Sequence, residues 1–350
     1  TYGKGFALGA LREGEGGSVA NVVTIGLDGR GGEVVRLARS RGDMDAPIVA
    51  GYKDAVIAGL LEPNAGGRAL RLAKVLGGKV TWGMEIAQGR DESLAFDLAA
   101  SSSGAVVVWD DVSRDKRRSS VFVASFDPET MTPRAAGRPV SDPKNDADTP
   151  RVIARPGGYW LAYVARAEVD TSGRGRSRRN DEIDEENAGE VVSHAWIEAM
   201  PLDESGAPAS APKRVSAKDG HVLAFDIELG EDGGALLAWR DDDSPMGSSG
   251  GNVLAALVTL GGIREPRVLA EEGASDGVPD LLPGWIAIAD VRGPKRFAPL
   301  RANGELAGSL DPEPSVGIAE PLAATTDRLL LARPLGRSIR LEVVRCAAEP

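Results

Sequence analysis

The tetrapeptide Leu-Ala-Phe-Asp occurs twice, at 94–97 and 223–226, setting Asp97 and Asp226 at equivalent points of the chain. Two carboxylates held about 5–10 Å apart across a cavity are the equipment of glycoside hydrolysis, one donating a proton and the other attacking or activating water. A repeated Asp also has a structural use, because its carboxylate can hold neighbouring backbone N–H groups. Asp97 and Asp226 are therefore the weak candidates for catalysis, and a glycosidase or lyase is the enzymatic alternative. Asp241, Asp242 and Asp243 could hold a Ca²⁺ ion, a hard cation that takes several oxygens. They lack the alternating spacing that aims such ligands inward, so an acidic turn is the commoner use. His194 and His221 lie 27 residues apart with no Cys or His companion at zinc-site spacing. The lone Cys346 cannot form an internal disulfide and reads as a small apolar residue on a last strand.

Charge gathers in three stretches. The first holds Asp110 and Asp111, then Lys116, Arg117 and Arg118. The second, about 168–190, is basic at Arg174, Arg176, Arg178 and Arg179, then acidic from Asp181 to Glu186. The third runs from Asp241 to Gly250. Long charged connections are often functional, and these three together read as a surface for a protein partner. The competing reading of the second is a solvated insertion whose two halves neutralise each other.

Short strands must position these residues. Apolar runs recur, and aligning them gives seven equivalent positions: Gly9, Gly59, Trp109, Tyr163, Trp239, Ile288 and Leu331. The intervals are 50, 50, 54, 76, 49 and 43 residues, the spacing of four-stranded blades. Each unit reads as strands a to d, from a short strand a after Pro or Ser, through the apolar run b, to a basic, proline-bearing edge d. Residues 60–75 could suggest a helix, but Pro63, Asn64, Gly66 and Gly67 break it into a hairpin. The pattern predicts an all-β, seven-bladed β-propeller of four-stranded antiparallel blades, one domain over 1–350. Asp97 and Asp226 then fall on innermost strands beside the central channel. All three charged stretches become b–c loops on one face of blades three to five. Trp109, Tyr163 and Trp239 become core between blades.

The first unit lacks strand a and the last lacks strand d, so ring closure is expected where these partial blades pair. With 42% hydrophobic residues the chain is expected to fold, and with a net charge of −11 it is not expected to bind nucleic acid. No apolar run reaches the length of a membrane span. The opening at Thr1, without Met, suggests that an N-terminal segment has been removed.

Trp109-Asp110-Asp111 and Trp239-Arg240-Asp241, with Leu202-Asp203 through Gly206 leading to Pro212 through Val215-Ser216, carry a resemblance. They resemble the W-x-D, L-D-x-x-G and P-x-x-V-S repeats of uncharacterised bacterial propeller proteins of the myxobacterial type. The likeness covers blades three to five best. It implies export or attachment to the cell envelope, and no common reaction. The Gly-His…Trp-Asp pattern of WD40 blades is absent.

Because neighbouring repeats provide the core, deletion of residues 171–188 is expected to change stability by less than about 1 kcal/mol. Thermal melting of the shortened chain checks this, and a large drop in Tm would contradict it.

Overall fold

The computed structural model describes residues 1–30, 32–42, 44–64, 67–89, 95–112, 118–169, 192–242, 251–271, 279–288, 296–310, 320–325, 327–335 and 338–345. Seven separate antiparallel sheets follow one another along the chain. Blade 1 is β1 (Gly5–Arg12), β2 (Ser18–Gly26) and β3 (Gly32–Ser40), and blade 2 is β4 (Ile48–Tyr52), β5 (Ala55–Asn64), β6 (Gly67–Leu76) and β7 (Lys79–Gly89). Blade 3 is β8 (Phe96–Ala100), β9 (Ala105–Val112), β10 (Ser119–Asp127) and β11 (Thr132–Pro139). Blade 4 is β12 (Asp146–Arg155), β13 (Gly158–Val169), β14 (Val192–Leu202) and the short β15 (Lys213–Arg214). Blade 5 is β16 (Val222–Leu229), β17 (Ala235–Asp241), β18 (Asn252–Val258) and β19 (Arg267–Ala270). Blade 6 is β20 (Pro279–Leu282), β21 (Trp285–Ile288) and β22 (Arg296–Pro299), and blade 7 is β23 (Glu320–Ala324), β24 (Arg328–Leu335) and β25 (Ser338–Arg345). The chain is thus a seven-bladed propeller. Four blades show four strands, and blades 1, 6 and 7 show three among the described residues.

The second strand of each blade is apolar on both faces because it packs against both neighbours. On β17, Leu237 and Trp239 join a cluster with blade 4, while Leu236 and Ala238 join one with blade 6. On β9, Val107 and Trp109 face blade 2 and Val106 and Val108 face blade 4. The aligned aromatic positions are therefore core: Trp109, Tyr163 and Trp239 are at most 4% exposed. Tyr163 donates to Glu198 Oε2 at 2.8 Å, and Trp196 Nε1 donates to the other oxygen at 3.1 Å. Burial and the neighbouring Glu198 charge push the Tyr163 phenol above its usual range.

The repeated Val-Ser and Asp-x-x-Gly pieces have local causes. Ser141 and Ser216 are buried, and their Oγ atoms accept from Val121 and Ile197 at 3.0 and 2.9 Å, capping N–H groups on the third strand. Asp203 accepts from the N–H groups of Ser205 and Ala207, folding a turn that requires Gly206 at φ +79°. Asp127 builds the matching turn in blade 3 through Glu129 and Thr130, with Met131 in the left-handed region.

The two partial blades meet as expected, and among the described residues no strand pairing joins them. Blades 1 and 7 keep separate sheets. Phe6 and Ile25 of blade 1 bury against Leu330 of blade 7, with Val23, Leu341 and Val343 around them. Arg328 also donates to the Leu27 carbonyl. Among the described residues, closure is side-chain packing.

Trp239 is 1% exposed between blades 4 and 5. Trp239→Ala is expected to destabilise by about 3–5 kcal/mol in denaturant melts. A change within about 0.5 kcal/mol would place the ring outside the core.

Candidate functional site: the channel carboxylates

Innermost strands have one edge paired in their blade and one edge facing the channel. Register shows which residues share a level there. Asp97 stands opposite Val108, Arg151 opposite Ala162, Asp226 opposite Ala238 and Asp280 opposite Ala287. Each partner directly precedes the aligned repeat position on the second strand. Four consecutive blades therefore put Asp, Arg, Asp and Asp on one ring. The sequence pattern exposed two of these through their identical flanks. It missed Arg151, which follows a bulge between Asp148 and Arg151, and Asp280, whose strand is only four residues long. The available signal was strand register, counted back from the apolar run.

Asp97 and Asp226 do the same job. Asp97 Oδ1 accepts from Leu98 N and its Oδ2 from Val152 N of the next blade, both at 2.8 Å. Asp226 accepts from Ile227 N at 2.9 Å and, across the next junction, from Leu281 N at 2.8 Å. Each carboxylate thus satisfies two backbone donors that strand pairing leaves open on the channel edge. Both residues are half-buried, and desolvation raises both pKa values against the pull of Arg151 and the backbone donors. Asp226 is pushed up to about 7. Arg151 makes no hydrogen bond or ion pair with the described residues, and its charge acts on both Asp97 and Asp226.

A cavity of about 420 Å³ lies among the innermost strands, next to the ring positions. Gly51, Ala99, Ile153, Glu228 and Leu282 line it, together with Thr1. Gly51 has no room for a Cβ, which would lie 1.8 Å from the Thr1 carbonyl oxygen. Burial raises the Glu228 pKa, and its Oε1 accepts from Leu229 N at 2.7 Å. Polar and apolar surface contribute about equally to the cavity wall. At a larger open depression at the rim of blade 1, lined by Glu15, Arg39 and Arg41 among others, no group of acids or histidines converges among the described residues.

The residues expected to bind a partner occupy different settings. Asp110 and Asp111 lie at the end of β9, only 7% and 9% exposed, rather than in a loop. Asp110 accepts from Ala95 N and from Thr149 N of blade 4, both at 2.8 Å, and so holds Thr149 at φ +53°. Asp241 ends β17 and accepts from His221 N at 3.0 Å. Asp242 is buried beside Arg240, with Nε–Oδ1 at 2.8 Å. Asp242 therefore already has a positive partner where a Ca²⁺ ion would be needed. Among the described residues no three His, Cys, Asp or Glu side chains converge for a metal. Arg118 is exposed and donates to the carbonyls of Pro143 and Lys144. Lys116, Arg117, Arg174, Arg176, Arg178, Arg179 and Asp243 lie outside the described residues.

The architecture and the channel ring together define a seven-bladed β-propeller with carboxylate-linked inner strands. No family model matches the chain, and no curated protein matches its sequence. Among solved structures it is similar to a prolyl endopeptidase, with TM-score 0.52 and 10% identity, over 97% of this chain and 46% of that one. It is also similar to the acylaminoacyl peptidase of Pyrococcus horikoshii, with TM-score 0.49 and 11% identity, over 88% and 46% of the two chains. An endo-arabinase of Bacteroides thetaiotaomicron gives TM-score 0.41 and 12% identity, over 87% and 94%. The chain spans about half the length of the two peptidases. At these identities the likeness is one of fold.

The Asp226 shift makes a signed prediction. The folded protein holds this proton more tightly than the unfolded chain. The associated stability is present below about pH 4 and is lost as pH rises through about 7. Asp226→Asn removes that loss, but sets an amide donor against a backbone donor, at a cost of about 1–3 kcal/mol. The variant should melt lower than wild type at about pH 5, with the gap narrowing towards about pH 8. A gap that stays constant across that range would contradict the assignment.

Proposed function

We propose that the chain is a non-catalytic binding propeller that engages a protein partner through the b–c face of blades three to five, outside the cytoplasm. The observation carrying this reading is the use made of Asp97 and Asp226. Each spends both carboxylate oxygens on backbone N–H groups of two adjacent blades, which is a structural assignment. The three charged stretches fall between the second and third strands of blades 3, 4 and 5, and Arg118, next to β10, is exposed. Surface loops carried on a rigid repeat scaffold are where binding residues concentrate. The export of proteins with similar repeats supports the location.

A channel glycosidase or lyase is the second reading. One observation favours it: Asp97, Arg151, Asp226 and Asp280 share a level, and Asp226 has a pKa near neutrality, which suits proton transfer.

The test uses the full chain as bait beside two variants, one lacking residues 171–188 and one carrying Arg118→Glu. Binding predicts a protein retained by wild type and reduced about tenfold or more by each change, equivalent to about 1.4 kcal/mol. Equal retention by all three would overturn the surface assignment. Polysaccharide cleavage that disappears in Arg151→Ala and Asp280→Asn would replace the binding reading with the enzymatic one.

A further inference from the structure

In blades 2 to 5 a fourth strand pairs with the outer edge of the third. In blade 7 the third strand, β25, is outermost among the described residues. It is eight residues long and pairs with β24 in unbroken register from end to end. A long, regular edge with free backbone groups is a template for another strand.

The register shows which backbone groups are free. Pro334 lies opposite Ile339 and has no N–H, so theirs is a pair that does not exchange hydrogen bonds. Bonded and non-bonded pairs alternate along an antiparallel ladder. Leu341 opposite Ala332 and Val343 opposite Leu330 are therefore non-bonded as well. The N–H and C=O groups of Ile339, Leu341 and Val343 point away from β24, towards the open edge.

The side chains leave this edge partly apolar. Ile339 is 69% exposed and Val344 is exposed too, while Leu341 and Val343 pack towards Phe6 and Ile25 of blade 1. Charges of both signs share the other face. Glu342 lies 3.1 Å from Arg340 Nε and 2.8 Å from Arg333 Nε, and Arg340 stays largely exposed.

From these observations we infer that β25 pairs with β25 of a second copy of this chain, antiparallel about a two-fold axis at Leu341. That axis sets Arg340 opposite Glu342 of the second copy, and Glu342 opposite its Arg340. Ile339 meets Val343 of the second copy, and Leu341 meets its own equivalent. The backbone fits the same register. The outward groups of Leu341, Ile339 and Val343 make the bonded pairs. The Arg–Glu pairs fall at non-bonded positions, where opposed Cα atoms are about 4.5 Å apart and side chains come closest. An axis at Arg340 or Glu342 would set like charges face to face. Charge on an edge strand commonly blocks pairing. Here opposite signs two residues apart make the edge complementary to itself, as an isologous contact requires. The two blades then form one sheet, with three described strands from each copy. This inference is independent of the loop partner and of the channel.

The test is sedimentation velocity of the full chain over a wide concentration range. Wild type should pass from monomer to dimer as concentration rises. Arg340→Glu turns two attractive cross-strand pairs into repulsive ones and should weaken the dimer about tenfold. Combining it with Glu342→Arg restores opposite signs and should recover most of the loss, and no recovery would overturn the register. Ile339→Pro leaves the β24 ladder intact but removes an outward donor, and should also weaken the dimer about tenfold or more. A wild type that stays monomeric throughout, or a dimer unchanged by both Arg340→Glu and Ile339→Pro, would overturn the proposal. Should a variant not fold, hydrogen exchange in wild type decides. The Leu341 and Val343 amides should gain protection as concentration rises, and exchange independent of concentration would refute the pairing.

Discussion

A blade of this protein buries its two apolar faces only against the blades on either side, and everything else follows from that mutual cover. On β17, Leu237 and Trp239 serve one neighbour and Leu236 and Ala238 the other. No blade has a core of its own, so the ring must close, and the last contact must be as apolar as the rest. Phe6, Ile25 and Leu330 meet that demand, with no shared strand among the described residues.

The same arrangement creates a polar problem at the axis. Innermost strands turn an unpaired edge to the channel, and donors such as the Val152 and Leu281 N–H groups find no strand to pair with. Asp97 and Asp226 answer it from the preceding blade, each reaching a residue 55 positions further along the chain. Their desolvation is the cost, seen in the raised pKa of both groups. At the intervening junction the equivalent position is Arg151, which cannot accept a hydrogen bond and instead supplies positive charge to both acids. Structural clamps and a charged channel ring are thus two aspects of one set of residues.

Much of the fold was legible because its signal is periodic. Trp109, Tyr163 and Trp239 mark the buried strand, and Pro63 with Gly66 marks a hairpin rather than a helix. The incomplete first and last blades were legible too. Their mode of closure was not, because apolar packing leaves no motif. The site was harder. Asp97 and Asp226 stood out through identical neighbours, yet whether they serve catalysis or backbone depends on donors a full blade away. Asp110, Asp111 and Asp242 looked like exposed loop acids, since a charge at a strand end reads as solvent-facing until its buried partner is known. The stacking of His194 on His221, with ring centres 5.4 Å apart, depends on the path of the chain along the edge of β14, which no spacing rule encodes.

Native-state hydrogen exchange at the amides of Val152 and Leu281 tests the central claim most directly. If carboxylates from the preceding blades hold these channel-edge donors within a closed ring, both amides will exchange slowly, alongside the ladder amides of β9 and β17. Exchange of both at the rate of unprotected backbone, while those ladders stay protected, would contradict the clamped ring.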